Sequence, residues 1–349
     1  MKKFTIAAVA LAATALTTAC DSQPGGGGDN RQAIHAVGSS TVFPFARRVS
    51  EIFTRENPDL AAPSIESTGS GGGISLFCQG VGPATPDIVN ASRRMKAGEF
   101  ETCQQNGVEE ITEIQVGMDG IAIASAVGGI DMDLTPQQIY EALAANPYGE
   151  EQTTANWSDV DPSLPDLPIL VYGPPTTSGT RDAFNELIML AGCEANEEFA
   201  ATEEADEDAY ERTCTEMRAD GGYVDQGEQD NLIVQKIESN PNAVGIFGYS
   251  YLEENSDRVN GLRINGVEPT YDNIASFEYP GARPLYIYVK KAHFGIIPGL
   301  EEFLDAWVSN WGEGGALSEI GLVTNRGEVM AAMNSATTEL PNLTAEDLQ

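Results

Sequence analysis

"VYGPPTTSGTRDAFNEL", residues 171–187, reads as an apolar strand, a turn of Pro, Thr, Ser and Gly, and a helix that opens with SGTR. A strand leading through a short turn into a helix is the repeating unit of an α/β protein. In such a protein, ligands sit beyond the carboxyl ends of strands, at helix starts. A helix start carries unpaired N–H groups and about half a positive charge. Ser178 and Thr180 add hydroxyls there, and Gly179 exposes the backbone, so the stretch suits an oxyanion. Arg181, the first cation inside the helix, is the candidate charged partner. The surrounding chain has a formal charge of −34. Net charge is a long-range quantity that salt screens within about 10 Å at ~0.1 M, whereas the site works through donors within hydrogen-bond reach.

The same grammar runs along the chain from Ala33. "AIHAV", "PSIEST", "PDIVNAS", "LPILVYG" and "RPLYIYVKK" read as strands, and "ITEIQVGMDGIAIASA" as an extended run broken by Gly117 and Gly120. "FPFARRVSEIFTREN" reads as a helix with Phe45, Val49, Ile52 and Phe53 on one face, "DNLIVQKIESNP" and "IPGLEEFLDAWVSNW" as further helices, and the last acidic residues as a polar tail. This alternation predicts largely parallel sheets. Two more loops share the chemistry of the first. "VGSSTVFPF" sets Ser39, Ser40 and Thr41 ahead of Pro44, and Pro suits a first helical turn. "ESTGSGGGISLF" flanks Ser70 with glycines. One such loop is usually only a helix cap; three in one α/β chain point to an anion site.

The first nineteen residues, with Lys2 and Lys3 ahead of an apolar run, read as a secretory signal. Small residues before Cys20 look like a lipidation site, and the Gly-rich stretch to residue 32 like a tether, which places the mature protein in the periplasm or at the cell surface, held to the membrane through Cys20. The remaining 330 residues suffice for one large domain or two lobes, and no later apolar run approaches the ~20 residues of a spanning helix. Cys78, Cys103, Cys193 and Cys214 are an even set in an exported chain, which favours two disulfides over metal or catalysis. Of three connectivities, the sequence-near pairs Cys78–Cys103 and Cys193–Cys214 are preferred.

The acidity, densest over residues 194–220, makes nucleic acid and anionic lipid poor partners. Thirteen Arg against six Lys fits a salty habitat. A hydrolase is disfavoured: G-x-S-x-G is missing and only His35 and His293 are available as bases, His35 in an apolar strand and His293 expected at the surface. No spacing suggests zinc, calcium or a nucleotide loop, so no cofactor is expected.

"GSSTVFPF", "STGSGGGISLF", "DIVNASRRM", "GMDGIAIA", "SGTRDAF", "NAVGIFGYSYLEEN" and "RPLYIYVKK" occur in this order. Together they resemble the substrate-binding protein of the bacterial phosphate ABC transporter, from about Ala33 to Trp311. The resemblance implies a type II periplasmic-binding-protein fold, two α/β lobes joined by two crossover segments with phosphate in the cleft. It implies lobe 1 from 33–120 and 284–349, lobe 2 from 121–283, a monomer, and a membrane permease as partner. It also implies phosphate-binding roles for Ser40 and Thr41, for Ser70, and for Ser178, Gly179 and Thr180. Some members carry an Asp directly after the serine that is Ser92 here, and an Arg four places before the SGT serine; this chain has Arg93 and Pro174. Arg93 and Arg181 are therefore the expected cations. A carboxylate accepts the proton of hydrogen phosphate and repels sulfate, which has none to give. Asp119, Asp182 and Asp230 are the candidates for that acceptor, with Asp119 preferred because it falls at an expected crossover. Without such an acceptor the cleft would suit sulfate or another tetrahedral oxyanion as well.

Overall fold

The computed structural model describes residues 32–227 and 230–348 of the 349-residue chain, so the expected signal and Cys20 lie outside the described residues. The strands are β1 (His35–Gly38), β2 (Ser64–Ser67), β3 (Ile88–Ala91), β4 (Ile111–Ala126), β5 (Asp133–Leu134), β6 (Val171–Gly173), β7 (Tyr223–Asp225), β8 (Val244–Gly248), β9 (Val259–Gly261), β10 (Arg263–Ile264) and β11 (Ala282–Lys290). Nine of them form one sheet in the order β2-β1-β3-β11-β4-β8-β6-β7, with β9 beside β4, while β5 and β10 pair separately.

The sheet is mixed rather than largely parallel. β1 runs parallel to β2 and β3, and β6 parallel to β7 and β8. In the middle, β11 is antiparallel to β3 and β4, and β4 to β8 and β9. The cause is the path of the chain, which leaves the first half along β4 and returns along β11. β4 is one unbroken strand of 16 residues: its first part, to Gly120, pairs with β11, and Ile121–Ala124 pair with β8. Gly117 and Gly120 do not interrupt it. They admit close neighbours, since a Cβ on Gly117 would lie 2.7 Å from Leu322 and one on Gly120 3.0 Å from Tyr249.

Helices cover both faces of the first half. Helix α1 (Phe43–Glu56) buries Phe45, Val49, Ile52 and Phe53, as its periodicity predicts, and Phe45, Val49 and Phe53 share a core with Ile287 and Trp307. Helices α2 (Ser70–Phe77) and α3 (Ala97–Gln105) bury Ile74, Phe77 and Phe100 against Val89 and Tyr288 on the other face. The second half has its own core, with Ile121, Ile123, Trp157, Phe184, Ile188 and Phe247. Each large apolar side chain so buried contributes about 1.5–3 kcal/mol. The architecture is thus two α/β lobes.

Cys78 is bonded to Cys103 and Cys193 to Cys214, the two pairs expected from proximity in sequence. Two other expectations fail. The polar tail contains a helix, Gly327–Glu339. His293 is buried, not superficial: Nδ1 lies 2.5 Å from Asp87 and Nε2 accepts the Gly82 N–H at 3.1 Å, so the ring locks the 80–87 loop to the end of β11. Among the described residues, no helix is long and apolar enough to cross a membrane.

Candidate functional site

A cavity of about 340 Å³ opens where the two lobes meet, and Ser40, Thr41, Asp119, Ser178, Gly179 and Thr180 line it. A larger hollow of about 480 Å³ beside Asp131 and Arg263 holds none of the expected binding residues. The two loops that build the 340 Å³ cavity come from opposite lobes and touch: a Cβ on Gly179 would sit 3.7 Å from the Ser40 carbonyl and 3.8 Å from the Thr41 Cα.

Each loop is held by its own capping bonds. Ser178 has extended backbone and its Oγ accepts the Thr180 N–H at 3.2 Å, while the helix Gly179–Phe184 starts behind it. Ser39 does the equivalent at the first loop: its N–H donates to the Asn90 carbonyl and its Oγ accepts the Val42 N–H at 3.3 Å. Pro44 then occupies the first turn of α1. Both helix starts therefore border the same space, one from each side of it.

Asp119 forms the floor. It sits on β4, 16 % exposed, with its Oδ2 buried and without a hydrogen-bond partner. Burial pushes its carboxyl above the ordinary value; Arg283 opposes that shift and Glu186 adds to it. Asp230 lines the cavity too, and its Oδ2 accepts the Gly248 N–H at 3.3 Å. Asp182 is in the first helical turn and is not part of the wall.

The expected cations are elsewhere. Arg181 is buried and faces into its own lobe, where its Nη1 donates to the Pro174 carbonyl and the Tyr223 hydroxyl, its Nε to Asn185, and its guanidinium stacks on the Tyr223 ring. Arg93 makes a two-pronged pair with Glu99 at 2.7 and 2.9 Å, which spends the fork that would grip an oxyanion. Ser70 is likewise off the cavity wall. Its Oγ accepts the Ser92 N–H at 3.1 Å and is hydrogen-bonded to the Ser92 hydroxyl at the same distance.

The cation that reaches the site is Arg283, which sequence reading passed over. It is opposite Asp119 in the β4–β11 register and is 7 % exposed. Nη2 donates to Thr41 Oγ1 at 2.8 Å, Nε lies 3.4 Å from Asp119 Oδ2, and Nη1 is paired with Glu186. A charged residue inside the apolar run "ARPLYIYVK" was the available signal, because an unpaired buried guanidinium is too costly to occur by chance. Glu186 belongs to a π-helical turn, Asn185–Met189, in the helix that begins at Gly179. Such turns commonly mark functional positions.

Among the described residues, no group of His, Cys, Asp or Glu is placed to hold a metal ion. The arrangement offers the hydroxyls of Ser40, Thr41, Ser178 and Thr180 beside the carboxyl groups of Asp119 and Asp230.

The sequence profile of the PBP superfamily domain matches residues 16–310. Protein SphX of Synechococcus elongatus is 33% identical over 269 residues, which are 75% of this chain and 69% of that protein. The phosphate-binding protein PstS of Staphylococcus saprophyticus is 29% identical over 317 residues, 87% of this chain and 85% of that one. The crystal structure of a possible phosphate binding protein from Planctomyces limnophilus superposes with a TM-score of 0.69 at 28% identity, covering 88% of this chain and 98% of that chain.

Proposed function

This chain belongs to the PBP superfamily and, within it, to the family of phosphate-transport binding proteins; on that premise we propose that it captures inorganic phosphate outside the cytoplasm and hands it to the permease of an ABC transporter. The observation that carries the reading is the meeting of the Ser40–Thr41 turn and the Ser178–Thr180 helix start at a cavity whose wall includes the Asp119 carboxylate, itself ion-paired with Arg283. Hydroxyl and backbone donors take the phosphate oxygens, and Asp119 accepts the phosphate proton. No bond is made or broken, so the protein works as a receptor and not as an enzyme.

The lobes in this reading are 33–120 with 284–349, and 121–283. The change of β4 partner after Gly120 supports the first boundary, and the position of Arg283 beside Asp119 the second. Residues 1–19 direct export and Cys20 carries a lipid that keeps the monomeric receptor at the membrane. Ser70 and Arg93 stand outside the cavity and contribute less than the residues on its wall.

Titration calorimetry of the mature domain, stripped of carried-over anion, tests this with phosphate and then sulfate at pH 5 and pH 8. Tight phosphate binding at pH 8 with sulfate silent is expected. Equal binding of both would make the protein a general oxyanion receptor, and silence toward both would remove the transport function.

A further inference from the structure

Arg283 lies behind the cavity wall, yet its guanidinium joins three parts of the molecule. Thr41 comes from the first lobe, Asp119 from the strand that links the lobes, and Glu186 from the π-helical turn of the second. We propose that Arg283 is the positioning residue that makes the site choose hydrogen phosphate over a fully ionised oxyanion, by fixing Thr41 as a donor and Asp119 as an acceptor. The inference rests on the phosphate reading above and adds to it the residue that sets selectivity.

A hydroxyl has one hydrogen to give and accepts on its oxygen. Thr41 Oγ1 accepts from Arg283 at 2.8 Å, and a guanidinium never accepts, so the Thr41 hydrogen is directed away from Arg283. Thr41 lines the cavity, and an anion there receives that hydrogen. Donation from a hydroxyl that itself receives a charged donor is strengthened by the polarisation.

Asp119 is the acceptor that Arg283 faces across the β4–β11 pair. Two charged groups bear on it, Arg283 from β11 and Glu186 from the π-helical turn, while Asp230, at the start of the helix Asp230–Ser239, lines the same cavity. Only Arg283 both faces Asp119 and favours its ionised form directly. Without that guanidinium, burial and Glu186 both favour a protonated carboxyl. A protonated carboxyl is a donor, and a donor suits sulfate as well as phosphate. The selectivity of the cleft thus resides one residue behind its wall.

The test compares wild-type protein with Arg283→Gln and Arg283→Lys by calorimetry with phosphate and sulfate from pH 5 to pH 9, with thermal unfolding as the control for folding. Arg283→Gln is expected to weaken phosphate about tenfold or more and to narrow the phosphate-to-sulfate ratio by a similar factor. Arg283→Lys keeps the charge and is expected to recover part of the ratio. A folded Arg283→Gln that weakens both anions equally, or keeps the wild-type ratio, overturns the inference while the phosphate reading stands. A wild-type protein that binds neither anion removes that reading, and this one with it. Should Arg283→Gln not fold, carbon-13 NMR titration of the Asp119 carboxyl in wild-type protein decides. An ionised Asp119 at pH 7 is expected, and a protonated one overturns the proposal.

Discussion

Two helices of this protein follow one plan. The helix Ser70–Phe77 begins with a serine soon after a strand and ends at Cys78, bonded to Cys103. The helical stretch from Gly179 begins behind the Ser178 cap soon after β6 and reaches Cys193, bonded to Cys214. Each candidate anion donor is therefore the front end of a helix anchored at its rear. What differs is the opposite wall. Ser70 meets Ser92, beside the closed Arg93–Glu99 pair, whereas Ser178 and Thr180 meet Thr41 and Asp119 across an open cavity. A serine at a helix start becomes a site only when a second element leaves it something to bind.

The strongest way to break this comparison is to remove the donors at the open front. Thr41→Ala with Ser178→Ala should weaken phosphate about a hundredfold or more, because a hydrogen bond to a charged group is worth roughly 1.5–3 kcal/mol. Unchanged affinity by calorimetry would reduce both loops to helix caps. The anchors come next. The disulfides span 25 and 21 residues, so replacing either pair by serines should cost a similar amount, about 3 kcal/mol, in denaturant unfolding. Phosphate affinity should fall with Cys193–Cys214, which holds the helix behind Ser178, and hold steady without Cys78–Cys103. The reverse order would move the binding front to Ser70.

Ser70→Ala is a smaller and sharper probe. Its hydroxyl is committed to Ser92, so its removal should cost about 1 kcal/mol in unfolding free energy and leave phosphate affinity nearly unchanged. A loss as large as that of Ser178→Ala would mean that lobe closure brings Ser70 onto the anion.

Local features were legible in the sequence and distant pairings were not. The buried face of α1, the strand-turn-helix around Ser178 and the disulfide pairs follow from periodicity and short spacing. Loop chemistry and an expected crossover marked Ser40, Thr41 and Asp119, and all three line the cavity. Arg93 and Arg181 were plausible cations until their partners, Glu99 and Tyr223, were located; those partners lie 6 and 42 residues away. Arg283 contacts Thr41 across 242 residues, and no periodicity or motif encodes such a contact. His293 shows the same limit, since its burial depends on Asp87, 206 residues earlier.

Glu186 is the subtlest difference between the two helices, and the π-helical turn that carries it has no counterpart in the Ser70 helix. Its carboxylate is half-exposed, so its pairing with Arg283 is partly screened and worth no more than about 1 kcal/mol. Glu186→Gln keeps an acceptor for Arg283 but removes a negative charge near the anion. Phosphate should then bind about threefold more tightly at low salt, with the gain shrinking as salt is added. The pH dependence has a defined sign. Glu186 holds the Asp119 carboxyl up, so losing its charge lets that carboxyl fall toward its ordinary value and stay an acceptor at lower pH. The acid limb of the phosphate-binding curve should therefore move to lower pH. Weaker binding with the acid limb unmoved would assign Glu186 to holding Arg283 in place, and the π-helical turn to scaffold.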